Sequence, residues 1–202
     1  MEPHRISLGF TPQTFEPGVH ICQIFSEEDE WQESLFKYLA SGIQGGEKTC
    51  CFSEKATESF LTEAFGREGL DYSDARDKKA VSLLRTAEIY FQEGRFDPDR
   101  MLALLEAFYS KSQAEGFAGA RVIGEMSPKV QQIEGGDRLM EYESKVSLLL
   151  KTTPITAVCQ YDARGFDGAT ILDILKVHPL MIVRGSVVQN PFFIPPEVYL
   201  AL

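Results

Sequence analysis

The fold is decided by residues 19–53, whose sequence is VHICQIFSEEDEWQESLFKYLASGIQGGEKTCCFS. Residues 19–25 form a short apolar run that is rich in β-branched side chains, and residues 48–53 form a second. Each run predicts a buried strand. Between them, apolar residues at helical spacing predict a helix that ends at Gly45-Gly46. The stretch is therefore a strand–helix–strand unit, which is typical of parallel sheets with crossover helices.

The remainder of the chain repeats this alternation. Further strands are predicted at residues 80–86, 120–126, 155–161 and 180–189, the last as a strand or a hairpin. Further helices are predicted at residues 57–65, 97–116, 137–151 and 167–177. Strands that alternate with helices of this length predict an α/β fold, with a mainly parallel central sheet flanked by helices.

No internal repeat or linker divides the chain. We predict an irregular N-terminal lead-in over residues 1–16 and a single α/β domain over residues 17–189. Residues 190–202 are rich in Pro and aromatic side chains, and they are predicted to form a C-terminal arm that runs extended over the surface.

The charge and composition exclude several classes of protein. Among 202 residues there are 30 acidic side chains and 20 Lys and Arg, a net charge of −10. This charge argues against direct binding to nucleic acid or to an anionic membrane. No apolar run approaches the ~18 residues that span a bilayer, and residues 1–10 lack the pattern of a secretory signal. Four Cys in apolar stretches fit reduced, buried thiols. We therefore predict a cytoplasmic protein.

The segment after the first strand lacks a phosphate-binding loop. Nucleotide-binding proteins place a Gly-rich loop with a Lys at this point, so that backbone amides surround the phosphates. Here there is neither Gly nor Lys before Lys37, and Glu27, Glu28 and Asp29 occupy the first helical turn. These acids satisfy the helix dipole and repel phosphate, so NTP binding is not expected there. Ser26 and Asp29 have the spacing of a capping box.

Polar residues near strand ends define a candidate site, because doubly wound sheets bind ligands at the carboxyl ends of their strands. Glu125 lies near the end of one predicted strand, and Tyr161 and Asp162 lie at the end of another. His20 and Cys22 are two residues apart in the first strand, so their side chains share a face. We predict a ligand-binding site at this edge, ringed by His20, Cys22, Glu125, Tyr161, Asp162 and His178.

Two other interpretations of these residue types stay open. His20, Cys22, Cys159 and His178 are side chains that suit zinc or copper, but they come from three separate segments. We assign no metal ligand and no cofactor. A Cys–His pair for hydrolysis is the second interpretation, yet neither Cys lies at an evident helix N-terminus that would lower its pKa. We assign no catalytic residue.

Six stretches, in this order, resemble the MEDS domain, a sensory domain of methanogens and methylotrophs that also occurs in the dichloromethane-responsive repressor. They are GVHICQIF (18–25), LASGIQGGEKTCCFSEKAT (39–57), RVIGEMS (121–127), ITAVCQYD (155–162), ILKVHPLMIVRG (174–185) and VVQNPFFIPPE (187–197). The ordered set covers residues 17–200.

The resemblance implies a degenerate relative of the KaiC/RecA-type ATPases, with a RecA-like fold that has lost its phosphate-binding loop. It also implies a sensor of small organic molecules, including hydrocarbon derivatives. Such a sensor passes its signal to a histidine kinase, a transcription factor or an anti-sigma element. By position, five residues match the family's recurring polar residues: His20, Glu125, Tyr161, Asp162 and His178.

Our functional prediction is a non-catalytic, small-molecule sensory domain that regulates a kinase or a transcription-factor partner. Three alternatives are kept beside it. They are a residual nucleotide-binding or NTPase domain, a metal- or thiol-dependent hydrolase, and a scaffold that acts through dimerisation. A homodimer is also compatible with the sensory interpretation.

Overall fold

A computed structural model describes residues 5–202. Its strands are β1 (Ile6–Ser7), β2 (Thr14–Phe15), β3 (His20–Phe25), β4 (Lys48–Phe52), β5 (Val81–Leu84), β6 (Ala120–Met126), β7 (Ile155–Asp162), β8 (Leu180–Val183) and β9 (Ser186–Gln189). Its α-helices are α1 (Glu28–Gln44), α2 (Glu58–Arg67), α3 (Tyr72–Asp77), α4 (Thr86–Tyr90), α5 (Pro98–Ala114), α6 (Leu139–Leu149), α7 (Gly168–Val177) and α8 (Pro196–Tyr199).

Seven of the strands form one central sheet in the order β5-β4-β6-β7-β3-β8-β9. All neighbouring strands from β5 to β8 are parallel, and β9 closes one edge as the antiparallel partner of β8. The predicted α/β fold with a mainly parallel sheet is confirmed. The carboxyl ends of β4, β6, β7 and β3 lie side by side, so the residues that follow these strands meet at one edge.

Two apolar layers cover the sheet, one on each face. Because side chains alternate along a strand, Cys50 packs in the layer formed with α5, α6 and α7, and Cys51 packs in the layer formed with α1, α2 and α3. The same alternation separates Cys22 from Ile21 in β3. The near-continuous apolar sequence of these strands follows from burial on both faces.

A buried ion pair joins the sheet to the lead-in. The Arg121 guanidinium of β6 pairs with Glu47 and also donates to the carbonyl oxygens of Tyr38 and Ser7, each at 3.1 Å. The lead-in, which the sequence predicts to be irregular, contains the β1–β2 pair. Gly9 has a positive φ and lies against the Lys37 carbonyl, where a Cβ would not fit. Of the predicted lead-in, residues 1–4 lie outside the described residues.

Three short α-helices were not predicted from the sequence. Helices α3 and α4 have six and five residues, which is too short for a helical period to emerge. The C-terminal arm contains the single turn of α8. Residues 180–189 form a hairpin, because Arg184 and Gly185 both have positive φ and make the two-residue turn that such strands favour. Within residues 5–202, no helix has the length and apolarity needed to cross a membrane.

Candidate functional site

The six predicted site residues form two groups in different parts of the fold. Four are buried on the face of the sheet that α6 and α7 cover: His20, Cys22, Tyr161 and His178. The other two, Glu125 and Asp162, lie at the carboxyl edge of the sheet. The single ring that the sequence predicts is therefore divided into a buried site and an edge site.

The buried site surrounds Glu143, a residue of α6. Tyr161 Oη donates to Glu143 Oε1 at 2.6 Å. Glu143 Oε2 lies 3.4 Å from His20 Nε2, 3.5 Å from His178 Nε2 and 3.6 Å from Cys159 Sγ. The Cys159 Sγ also lies 3.4 Å from His20 Nε2. We call these five residues the Glu143 cluster.

Hydrogen bonds outside the cluster fix the orientation of both imidazole rings. His178 Nδ1 lies 2.8 Å from the Ile174 carbonyl oxygen, which can only accept, so this nitrogen carries a proton. His20 Nδ1 lies 2.8 Å from Ser147 Oγ, and that hydroxyl donates to the Val177 carbonyl at 3.3 Å. His20 Nδ1 is therefore also a donor. Both Nε2 atoms face the carboxylate.

Burial determines the charge of the groups in this cluster. Burial and the neighbouring His178 lower the pKa of His20 to about 4, so its imidazole is neutral at pH 7. The 2.6 Å bond from Tyr161 has the length of a hydroxyl that donates to an ionised carboxylate. The Glu143 cluster thus holds a carboxylate next to the neutral His20 imidazole, whose Nε2 carries a lone pair.

The cysteines near this cluster are weak nucleophiles. Cys22 and Cys159 are paired by register in the adjacent strands β3 and β7, on the same face. Burial raises the pKa of Cys22 to about 12, and burial with the nearby Glu143 raises the pKa of Cys159 well above its ordinary value. Because the thiolate is the reactive form, this environment disfavours a Cys–His hydrolase.

The edge site is organised by Lys55, which follows β4. Its Nζ lies 3.1 Å from Glu125 Oε1, 3.5 Å from Asp162 Oδ2 and 3.8 Å from Glu28 Oε2. These four residues are the Lys55 site. Hydrogen bonding to Glu125, with the charges of all three acids, raises the pKa of Lys55 although its partial burial acts to lower it. The ammonium is therefore charged and surrounded by acids.

Neighbouring groups hold the acids of the Lys55 site in place. Ser53 donates to Glu125 Oε2 at 3.0 Å. Arg164 binds both carboxylate oxygens of Asp162, at 2.8 and 2.7 Å. The hydrogen bond from Arg164 lowers the pKa of Asp162 to about 2. Asp162 is consequently ionised throughout the neutral range.

The start of α1 confirms the predicted absence of a phosphate-binding loop after the first strand. The helix carries Glu28, Asp29 and Glu30 in its first turn. The predicted capping box is wrong: α1 begins at Glu28 with Glu27 as N-cap, and Ser26 Oγ bonds to Glu27 Oε1 at 3.4 Å. The acids satisfy the helix dipole directly, so a side-chain cap is not required there.

A cleft of about 440 Å³ opens beside the Lys55 site. Charges of both signs line it, together with apolar side chains. Its lining includes Glu54, Lys55, Arg85, Phe91, Glu125, Pro128, Lys129 and Asp162. This volume lies in the range of small-molecule sites, and the mixture of charged and apolar groups fits a small organic molecule with a polar end.

Sequence reasoning missed the central residue of each site. Glu143 lies between the apolar core positions Leu139, Tyr142 and Val146 of α6, so an acid on the buried stripe of a helix was the available signal. Lys55 comes three residues after β4, so inspection of that strand end would have found it. Lys55 was missed because the candidate site was inferred from the ends of other strands, and Glu143 was missed because it lies in a helix.

The fold and the start of α1 together define the structural class of the protein. The chain has a RecA-type α/β fold in which acids replace the phosphate-binding loop. A KaiC-like protein from Pyrococcus horikoshii OT3 aligns with a TM-score of 0.58 at 12% identity, covering 88% of this chain and 79% of that one. The flagellar accessory protein FlaH of Methanocaldococcus jannaschii aligns with a TM-score of 0.57 at 12% identity, covering 92% and 84%. At this identity the likeness shows the fold alone.

Within that class, the chain belongs to the MEDS family. The model of the methanogen/methylotroph, DcmR sensory domain matches residues 19–179. The transcriptional repressor DcmR of Methylorubrum extorquens is 27% identical over 160 residues, which are 79% of this chain and 57% of the repressor. The chain thus spans little more than half the length of this relative. Family and relative together support a regulatory sensory role.

Proposed function

We propose that this chain is a non-catalytic sensory domain that binds a small organic molecule in the cleft beside the Lys55 site. The observation that carries the proposal is the Lys55 ammonium, held between three carboxylates at the carboxyl edge of the sheet. Parallel α/β sheets bind their ligands at this edge. The acids at the start of α1 disfavour a phosphate group there, which favours an uncharged ligand over a nucleotide.

The site offers a ligand three kinds of contact. The Lys55 ammonium and the ionised carboxylates provide donors and acceptors, and Phe91 and Pro128 provide apolar contact. Lys55 Nζ also lies 5.3 Å from the ring centre of Phe25 and 5.5 Å from that of Trp31. A ligand that displaces Lys55 from one acid changes the contacts of β6, β7 and α1 together, because each of these elements supplies one acid of the site.

We further propose that the output of this change is regulation of a transcription factor. The support is the family assignment and the repressor relative. A ligand shifts the equilibrium between two conformations of the domain only if it binds one of them more tightly than the other. Lys55 is suited to this, since three partners compete for one ammonium group.

Ligand-dependent thermal stability tests the binding proposal. Halogenated and oxygenated one- to three-carbon compounds are screened against the wild type, Lys55→Met and the control Lys37→Met. Lys37 is matched, because it is also an ion-paired lysine with a third of its side chain exposed. The proposal expects a compound that raises the melting temperature of the wild type and of Lys37→Met but not of Lys55→Met.

Two results would count against the proposal. A stabilisation that Lys55→Met retains places the ligand elsewhere. A stabilisation by magnesium and ATP, measured in the same assay, favours the residual nucleotide-binding alternative instead. For the output, host transcripts are compared between strains that carry the wild type and Lys55→Met, with and without the stabilising compound. A compound-dependent change in both strains alike contradicts a role for this cleft.

A further inference from the structure

The Glu143 cluster contains a set of side chains that the sensory cleft does not use. One atom from each of His20, Glu143, Cys159 and His178 lies within 4.8 Å of the others. His20, Glu143 and His178 are buried, and Cys159 is partly exposed. These four residues come from β3, α6, β7 and the connection between α7 and β8. Their convergence is therefore a property of the fold.

The cluster brings one carboxylate oxygen, Glu143 Oε2, to 3.4 and 3.5 Å from two imidazole nitrogens. His178 Nε2 is buried and makes no hydrogen bond within residues 5–202. It faces Glu143 Oε2, as does His20 Nε2, and both rings carry their proton on Nδ1. Among three acceptor atoms, the Cys159 thiol supplies one proton. A buried acceptor without a donor is costly, so a cation is expected between these atoms.

The distances favour a metal ion over a proton as that cation. A charged imidazolium that donates to a carboxylate lies about 2.7 to 2.9 Å from it. The two Nε2 to Oε2 distances are 3.4 and 3.5 Å, and the two distances from Cys159 Sγ are 3.4 and 3.6 Å. A tetrahedral zinc ion with bonds of about 2.0 to 2.3 Å separates its ligand atoms by about 3.3 to 3.6 Å. Four of the six separations match this value, and the two from His178 to His20 and to Cys159 are at most 4.8 Å.

The geometry points to one tetrahedral zinc ion bound by His20 Nε2, His178 Nε2, Glu143 Oε2 and Cys159 Sγ. This set of two nitrogens, one oxygen and one sulfur suits zinc. On binding, the thiol proton of Cys159 is released to solvent and the thiolate forms a bond to zinc. The two positive charges of the ion then balance the thiolate and the carboxylate, which makes the buried site neutral.

Residues around the four ligands support the same assignment. Metal-binding imidazoles nearly always donate their other nitrogen to a carbonyl, a carboxylate or a hydroxyl, as His178 does to Ile174 and His20 does to Ser147. Tyr161 donates to Glu143 Oε1, which leaves Oε2 available for the metal. The zinc ion would join β3, β7, α6 and the connection from α7 to β8. The assignment does not depend on the proposed sensory function.

Metal titration tests the assignment. Metal-free wild-type protein, prepared under reducing conditions, is titrated with cobalt and then with zinc against a competing chelator. We expect one equivalent per chain and a cobalt spectrum with tetrahedral visible bands and a thiolate charge-transfer band. His178→Ala and Cys159→Ala should lower the zinc affinity at least about 100-fold, whereas Cys50→Ala should leave it unchanged. Cys50 is the matched control, because it is a buried strand cysteine outside the cluster.

A milder variant keeps the test decisive if a ligand substitution prevents folding, which circular dichroism reports. Tyr161→Phe retains all four ligands and should weaken zinc binding about 10- to 100-fold, the usual effect of losing a hydrogen bond to a ligand. The assignment is overturned if folded wild-type protein binds less than one equivalent at micromolar zinc. It is also overturned if bound cobalt shows no thiolate band, or if Tyr161→Phe binds zinc with the affinity of the wild type.

Discussion

The Glu143 cluster and the Lys55 site contain similar side chains but differ in their surroundings. Lys55 is one-third exposed and lies in an open cleft, where its ammonium is matched by three acids. Glu143 is buried and faces imidazole nitrogens whose protons point away from it. Water screens the first site, whereas the interior strengthens every unbalanced interaction in the second. The edge site therefore suits a reversible ligand, and the buried site suits a tightly held ion.

The largest effect is expected at the centre of the buried cluster. Glu143→Ala leaves the buried Tyr161 hydroxyl without its acceptor and opens a cavity, and it should lower the free energy of unfolding by about 3 to 5 kcal/mol. Urea denaturation measures this loss. The control is Glu141→Ala on the same helix, where the pairs with Arg138 and Lys145 are partly exposed and water screens them. It should cost less than about 1 kcal/mol. Equal losses in the two variants would remove the contrast between buried and exposed acids.

Removal of zinc should have the next largest effect. At free zinc about 100-fold above the dissociation constant, binding stabilises the native state by about 2.7 kcal/mol, equivalent to about 5 to 10 °C for a chain of this size. A chelator should lower the melting temperature of the wild type by this amount and leave that of Cys159→Ala unchanged. Calorimetry with and without chelator measures both. An identical response from the two proteins would place any metal outside the cluster.

A smaller effect distinguishes two buried tyrosines. Tyr161 donates to a carboxylate and Tyr38 donates to the Thr156 carbonyl at 2.8 Å. Hydrogen bonds to charged groups are worth more, so Tyr161→Phe should cost about 2 kcal/mol and Tyr38→Phe about 1 kcal/mol. The difference between their urea midpoints measures the charge on Glu143. A larger loss for Tyr38→Phe would indicate a neutral Glu143.

The smallest effect is expected at the edge. Arg164→Ala removes the two hydrogen bonds that lower the pKa of Asp162 to about 2, so this pKa should rise toward its ordinary value. Asp162 stabilises the fold as a carboxylate, and this contribution is lost as the pH falls through its folded-state pKa. The loss should therefore begin at a higher pH in the variant. Carboxyl NMR shifts, recorded between pH 2 and 5, measure the change. An unchanged Asp162 titration would mean that the backbone N–H of residue 164 and the charge of Lys55 set its pKa.

The sequence predicted the core of the fold because its strands are apolar on both faces and its long helices have a clear period. The helical period is not visible in α3 and α4, which are too short. The capping pattern misled at α1, where acids replace the side-chain cap. Among the site residues, the sequence found side chains near strands. It did not predict that these residues divide into a buried site and an edge site, because the side chains that meet on each face of the sheet depend on the register of β3 and β7.

Glu143 shows why the centre of the buried cluster could not be found in the same way. Its neighbours in the cluster come from residues 20, 159, 161 and 178, so nothing near it in sequence marks it as functional. An acid on the buried stripe of a helix becomes informative only when the partners across the interface are known. Lys55, by contrast, is close to a strand end and was within reach of the same reasoning.

The most direct measurement of this division of roles is a native mass spectrum of the zinc-reconstituted wild type, Lys55→Met and Cys159→Ala. We expect one zinc ion on the wild type and on Lys55→Met, and the bare chain for Cys159→Ala. Bare wild-type protein, or a zinc ion that Cys159→Ala retains and Lys55→Met loses, would contradict it.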